Sequence, residues 1–282
     1  MVLLSVLLAG CTSFEPFDEQ EHYFSVYGWL DMRKDVQMVR VLPVRQTPAL
    51  PAHLSARVLV RDEITGEEHR WKDSLVAGLP SVFLFYRRFT PQPGHRYRIL
   101  VRDSLERTTT LETFLPSVPE IRPDSSWRED ARGRIVQEVT MVHPDGVFEA
   151  ATMRYRVSLF PDDSPTEIVV TYPNLRWEEA PGHTRLGITW ELDRRLVEER
   201  MGVADSTRLW LHRAELILTL VDPEWEQYRA TETLPSSTRQ GFGVVAGVTQ
   251  YDTLFLPSPA VADSLNYVLI RAEAYSKQGF FR

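Results

Sequence analysis

The stretch Pro91-Gln92-Pro93-Gly94-His95-Arg96-Tyr97-Arg98-Ile99-Leu100-Val101 constrains this chain most. A Pro-Gly turn runs straight into a strict alternation. Tyr97, Ile99 and Val101 share one parity; Arg96, Arg98 and Arg102 share the other. Successive side chains of a strand point to opposite faces, so this segment is a strand with one apolar face and one wet face.

The pattern repeats on both sides. Ala56, Val58 and Val60 alternate with Arg57, Leu59 and Arg61, and Thr65-Gly66 then signals a hairpin turn. Val36–Val44, Glu68–Trp71, Ser81–Phe89 and Thr108–Phe114 read as further strands, and Thr47–Pro51 as a break. His22–Leu30 has apolar and aromatic residues on both parities, as in a strand covered on both faces. About seven strands in roughly 95 residues, with an inward Tyr97 just after its Pro-Gly turn, predict an immunoglobulin-like sandwich whose corner tyrosine ties turn to strand.

Leu115–Pro123 is proline-rich and reads as a semi-rigid linker. The second half is also strand-rich. Ile135–His143, Thr152–Phe160, Glu167–Tyr172, Leu186–Glu191, Arg208–Leu220 and Leu265–Tyr275 are its strands, with turns at Pro144–Gly146 and Pro161–Pro165. Asp222-Pro223-Glu224 starts a short helix over 223–232: Asp caps, Pro suits the first turn, and Glu complements the dipole. Gln240–Val248 is a strand punctuated by Gly241, Gly243 and Gly247. Leu192–Met201 is ambiguous, with Leu192, Leu196 and Arg200 on one helical stripe between strong strands. The expected fold is therefore all-β: an immunoglobulin-like β-sandwich followed by a second β-sandwich-like domain with one or two short helices. The expected layout is a signal peptide at 1–10, a tether at 11–21, the first sandwich at 22–115, a linker at 116–134 and the second β-rich domain at 135–282.

The N-terminus carries an address. Val2–Leu8 is apolar but far shorter than the ~20 residues that span a bilayer. Leu8-Ala9-Gly10-Cys11 follows: small residues, then the only cysteine in the chain. This is the pattern of a bacterial lipoprotein signal, with Cys11 as the lipidation site and the membrane as partner through its acyl chains. No Lys or Arg precedes the apolar run, which leaves open whether Met1 is the natural start. By resemblance to the sorting of Gram-negative lipoproteins, Thr12 rather than Asp after the cysteine points to the outer membrane. Residues 12–21 are polar and acidic, as suits a tether.

Charge narrows the partner classes. The net charge of −7 argues against nucleic acid, whose phosphates need a basic surface. Of the 32 basic residues only Lys34, Lys72 and Lys277 are lysines, so ion pairing to the 39 acids falls to arginine.

Chemistry-bearing motifs are sparse. None of the seven histidines is spaced as a metal-ligand pair, and three or four converging ligands are what zinc needs. Gly241–Gly247 superficially resembles a dinucleotide loop but lacks a following helix, so its glycines read as close packing. Asp162-Asp163-Ser164 lacks the glycine and closing Glu of a calcium loop. Adjacent acids such as Glu178-Glu179 point to opposite faces of a strand and cannot act together as glycosidase carboxylates. No cofactor is expected. Two surface readings remain. Arg96, Arg98 and Arg102 form a stripe that either meets an anionic partner or is a wet face paired with nearby acids, the simpler alternative. Trp177, Trp190, Trp210 and Trp225 are either platforms for sugars or buried core. Arg96, Arg98, Arg102, Trp177 and Trp190 are thus the candidate partner-binding residues.

Four groups of residues, in order, carry a resemblance over nearly the whole mature chain. They are Cys11 with Phe14-Glu15-Pro16 and Phe24–Leu30; Ala56–Val60 with Phe89–Ile99; Pro116–Pro119; and Leu218–Tyr228 with Gly241–Gly247. In that order the chain resembles the lipoproteins grouped as domain-of-unknown-function family 4249, found in Gram-negative envelopes. Gly182–Val203 departs from any such pattern. The resemblance implies an envelope accessory or binding role, company to an outer-membrane transport system, and no catalytic residue. The resulting expectation is a lipid-anchored, non-enzymatic binding module with an envelope protein or glycan as partner. A structural stalk and a glycan-active enzyme are its rivals.

Overall fold

A computed structural model describes residues 22–44, 54–75, 83–142, 145–172, 178–180, 183–231 and 238–270. The signal and tether segments, Cys11 and Trp177 lie outside the described residues.

The first half forms β1 (Phe24–Asp31), β2 (Val36–Pro43), β3 (Ala56–Asp62), β4 (Glu68–Arg70), β5 (Lys72–Leu75), β6 (Phe83–Arg88), β7 (Arg96–Asp103) and β8 (Thr108–Phe114). In β7, Tyr97, Ile99 and Val101 are buried, while Arg96, Arg98 and Arg102 are exposed. The tyrosine corner forms as its turn chemistry predicts. Gly94 adopts φ +78°, and the Gln92 N–H donates to the Tyr97 hydroxyl at 2.8 Å. Burial pushes that phenol up to about 12. Thr65-Gly66 turns β3 into β4, with Gly66 at φ +75° and Asp62 Oδ1 accepting from the Ile64 N–H at 2.8 Å.

The second half adds β9 (Glu120–Glu129), β10 (Ile135–Val142), β11 (Val147–Ser158), β12 (Thr166–Tyr172), β13 (Glu178–Ala180), β14 (His183–Thr189), α1 (Trp190–Met201), β15 (Leu209–Val221), α2 (Pro223–Thr231), β16 (Gly241–Leu254), α3 (Pro259–Ser264) and β17 (Tyr267–Leu269). α2 starts as the sequence predicts, with Asp222 Oδ1 accepting from the Glu224 N–H at 2.9 Å. The ambiguous stretch is α1, closed by Gly202 at φ +67° with its N–H on the Glu198 and Glu199 carbonyls. Its orientation reverses its pattern. Leu192 and Leu196 are 41% and 42% exposed, whereas Asp193, Arg194 and Glu198 are buried beside Trp190 and Val197.

Among the described residues the strands make three sheets: a long one ordered β12-β11-β15-β16-β1-β2-β6-β5 with β17 on β15, and two four-stranded ones, β4-β3-β7-β8 and β13-β14-β10-β9. One core lies between one half of the long sheet and β4-β3-β7-β8, around Val26, Val39, Phe85, Val58, Ile99 and Leu111. The other lies between its remaining half and β13-β14-β10-β9, around Met141, Tyr155, Leu186, Trp190 and Leu216. The fold is thus all-β, an immunoglobulin-like sandwich joined to a second sandwich-like unit with short helices.

Two details differ from the expected layout. First, a strand from the second half completes the first. β16 runs parallel to β1, from Phe24 beside Gly241 to Asp31 beside Val248, and Val245 enters the first core. The glycines of β16 permit this close approach: a Cβ on Gly241 or Gly243 would collide with the Phe24 or Val26 carbonyl of β1, and one on Gly247 with the Phe114 carbonyl of β8. Second, the 116–134 segment expected as a linker contains β9, paired with β10. Pro123 is tolerated there because β9 is an edge strand, next to a register shift between Gln137 and Val139. Side chains then tie the halves together. Asp222 Oδ2 accepts from the Phe114 N–H at 2.7 Å and the Thr113 hydroxyl at 3.1 Å, and the Thr249 hydroxyl donates to the Pro116 carbonyl at 2.6 Å.

Candidate functional site

The predicted arginine stripe is charge-balanced. Arg96 and Arg98 flank one carboxylate, with Arg96 Nη1 3.6 Å and Arg98 Nη2 3.1 Å from Glu112, and Arg98 also lies 3.5 Å from Glu63. Arg102 pairs with Glu106. Arg98 and Glu112 border a shallow cleft of about 430 Å³ with Arg61, Glu68 and Arg239. Exposed pairs of this kind contribute little, about 0–1 kcal/mol each. The simpler alternative, a wet sheet face neutralised by its own acids, describes what is there.

Trp190 is core, which corrects its place among the partner-binding residues. It is fully buried, stacks on Phe255 at 5.7 Å and 6°, meets the Tyr155 ring edge-on, and donates from Nε1 to Gln137 Oε1 at 3.0 Å. A tryptophan at a helix start beneath two sheets buries more apolar area there than anywhere on the surface.

Next to it lies a polar cluster that the sequence did not reveal. The Tyr155 and Tyr172 hydroxyls both donate to Asp193 Oδ2. Arg194 lies 2.8 Å from Glu198, its guanidinium stands 4.6 Å over the Tyr267 ring, and it donates to the Thr207 carbonyl. This is why α1 turns its polar side inward: the hydroxyls of β11 and β12 and the Thr207 carbonyl just before β15 receive it. Tyr155, Asp193, Arg194 and Glu198 are each at most 4% exposed, so the cluster is closed to a substrate. Burial raises Asp193 from 3.8 to about 6, against the lowering effect of the two tyrosine hydrogen bonds. A carboxyl raised on folding favours the folded state below about pH 4, and that contribution is lost as pH climbs through about 6. Unfolding free energy should therefore fall across that window, by on the order of 3 kcal/mol. Asp193→Asn should flatten the slope in denaturant titrations at stepped pH. An unchanged slope in the variant would assign it to other groups.

The exposed face of the long sheet carries the more promising surface. β1 sends Phe24, Val26 and Leu30 into the first core and Tyr27 and Trp29 outward. β1 is thus fully covered on one face and only partly on the other, where its both-parity pattern predicts cover on both; Trp29 is 49% exposed. Register places Met38, also 49% exposed, opposite Trp29 and places Arg40 opposite Tyr27. Tyr86 lies opposite Met38, Leu84 opposite Arg40, and Lys72 opposite Tyr86. α2, which lies along β16, brings Trp225 edge-on to Trp29 at 5.0 Å and 62°, with Tyr228 5.9 Å beyond. Burial and the Tyr228 hydroxyl raise the Tyr27 phenol, and Arg40 stands 5.6 Å over its ring. Of these residues only Trp225 belongs to the aromatic set singled out from the sequence. The signal for the others was the aromatic pair Tyr27 and Trp29 on one strand parity.

Among the described residues no group of three or more His, Cys, Asp and Glu is placed to hold a metal, and no helix is long and apolar enough to cross a membrane.

No protein-family model matches the chain, and no curated protein does. Solved structures show distant likeness. The FN1-FN3 domains of chicken CNTN1 align at 12% identity over 83% of this chain, with a TM-score of 0.26, and this chain spans 64% of that one. Bovine butyrophilin aligns at 12% identity over 83% of this chain and 99% of its own, with a TM-score of 0.22. A cytokine receptor complex aligns at 10% identity over 69% and 89%, with a TM-score of 0.24. Scores this low carry no functional meaning, and the chemistry of the site is that of its own residues.

Proposed function

We propose that this chain is a lipid-anchored, non-catalytic binding module of a bacterial cell envelope that presents the Trp29 face to a partner. The observation that carries this reading is the half-exposed pair Trp29 and Met38 on a sheet face, buttressed by Trp225. Large apolar side chains fixed in a row on an open face fit a role as binding anchors, and tryptophan is enriched among residues that dominate binding energy. The Leu8–Cys11 signal and the resemblance to family 4249 lipoproteins support anchorage through Cys11, with the outer membrane as destination and a transport system there as neighbour.

Two outcomes are expected. Capture of the acylated protein from native membranes should recover a partner identifiable by mass, and Trp29→Ala should lower its recovery about tenfold or more while leaving the fold intact. Recovery of the wild-type protein with neither a protein nor a glycan bound to it would refute the reading. Cys11→Ser should move the protein from the membrane fraction to the soluble one; its retention would refute lipidation.

A further inference from the structure

The Trp29 face interleaves rings with cations. One cross-strand row runs Trp29, Met38, Tyr86, Lys72, and the next runs Tyr27, Arg40, Leu84. Arg88, on the same parity of β6 as Tyr86, extends the face beside Val36. Among the described residues no carboxylate lies within ion-pair distance of Arg40, Lys72 or Arg88, unlike Arg33, Arg96, Arg98, Arg107 and Arg134, each of which has one. In a chain of net charge −7, three exposed cations gathered on one aromatic face, with no carboxylate beside them among the described residues, mark where a polyanion can approach.

Shape narrows the anion. Trp29, Met38 and Tyr86 stand on strands rather than at a loop tip, so they form a plane and not a wedge that enters lipid. Trp29 and Tyr86 are two strands apart, ~10 Å at the usual inter-strand spacing, about the length of a disaccharide unit. Trp29 is held edge-on by Trp225, so little freedom is lost when a ligand stacks on it. Flat apolar rings bordered by exposed cations match a chain of pyranose rings that carries carboxylates.

Resting on the binding-module reading of this face, we propose that its ligand is an acidic polysaccharide: Trp29 and Tyr86 stack on sugar rings, and Arg40, Lys72 and Arg88 pair with the carboxylates. The test is calorimetric titration of the purified full chain with polygalacturonate, alginate and hyaluronate, with dextran as a neutral polymer and phosphatidylglycerol vesicles as an anionic membrane. Saturable, salt-sensitive binding to at least one acidic polymer is expected, without binding to dextran. Trp29→Ala should weaken it about tenfold or more, as should the double substitution Arg40→Gln with Lys72→Gln, which should also reduce the salt dependence. Circular dichroism of the variants should match the wild type. Equal binding to dextran overturns the acidic class, binding to the vesicles alone overturns it in favour of lipid, and binding to none of the acidic polymers overturns it outright. In each of those cases Trp29-dependent capture of a protein from native membranes would leave the binding-module reading standing, whereas failure of both would remove the two together.

Discussion

Gly243→Ala should destabilise the protein by at least about 3 kcal/mol, which would make it one of the most damaging single-methyl additions available to the chain. Two effects add. Gly243 adopts φ +115°, a conformation in which a Cβ is strained. Its Cβ would also collide with the Val26 carbonyl oxygen and come within 2.7 Å of the carbonyl carbon. Both atoms are backbone in the parallel pairing of β1 with β16, where Val26 lies beside Gly243, so they cannot rotate aside as a side chain would. Relief requires that the strands part, and Val245 then leaves the first core. Gly66→Ala is the control: Gly66 has φ +75° but nothing within 4 Å of a Cβ, so only the backbone strain of about 1 kcal/mol applies. Equilibrium denaturation in guanidinium would compare them, and a Gly243→Ala cost no larger than that of Gly66→Ala would refute the account.

Trp190→Ala should cost about 4 kcal/mol, the range for deleting a large buried aromatic. The void would open between Phe255 and Tyr155, and the surrounding strands β10, β11 and β14 are held by their ladders and collapse little. Trp190→Phe keeps part of the stack and loses the hydrogen bond to Gln137, so it should cost clearly less. The same measurement separates the two kinds of tryptophan. Trp190→Ala should lower the unfolding midpoint sharply, whereas Trp29→Ala should change it little and act on partner capture. A Trp190→Ala protein as stable as wild type would remove Trp190 from the core.

The contrast shows which links were readable locally. Tyr97 and its Pro-Gly turn specify their corner within a few residues, because the hydrogen bond from Gln92 to the tyrosine hydroxyl spans only five positions. The Asp222 cap of α2 is local in the same way. Trp190 and Trp29 carry no such local distinction. A tryptophan beside apolar neighbours reads the same whether a second sheet covers it or solvent does. The arginines of β7 likewise alternate outward by pattern alone, yet Glu112, which neutralises two of them, comes from β8.

By itself the amino-acid sequence determined the strand alternation, the turns at Gly66 and Gly94, the start of α2 and the all-β class, since each depends on side-chain period and backbone preference over a few residues. Only the tertiary structure decided that β16 returns to β1, that β9 forms a strand where a linker was expected, that α1 turns its charged side inward, and that Trp29 with Met38 is left half-exposed beside exposed Arg40 and Lys72. These depend on which distant segments meet. Pairing Phe24 with Gly241 joins residues more than two hundred positions apart, and no local period encodes that choice. It follows instead from the burial and steric fit of the whole chain.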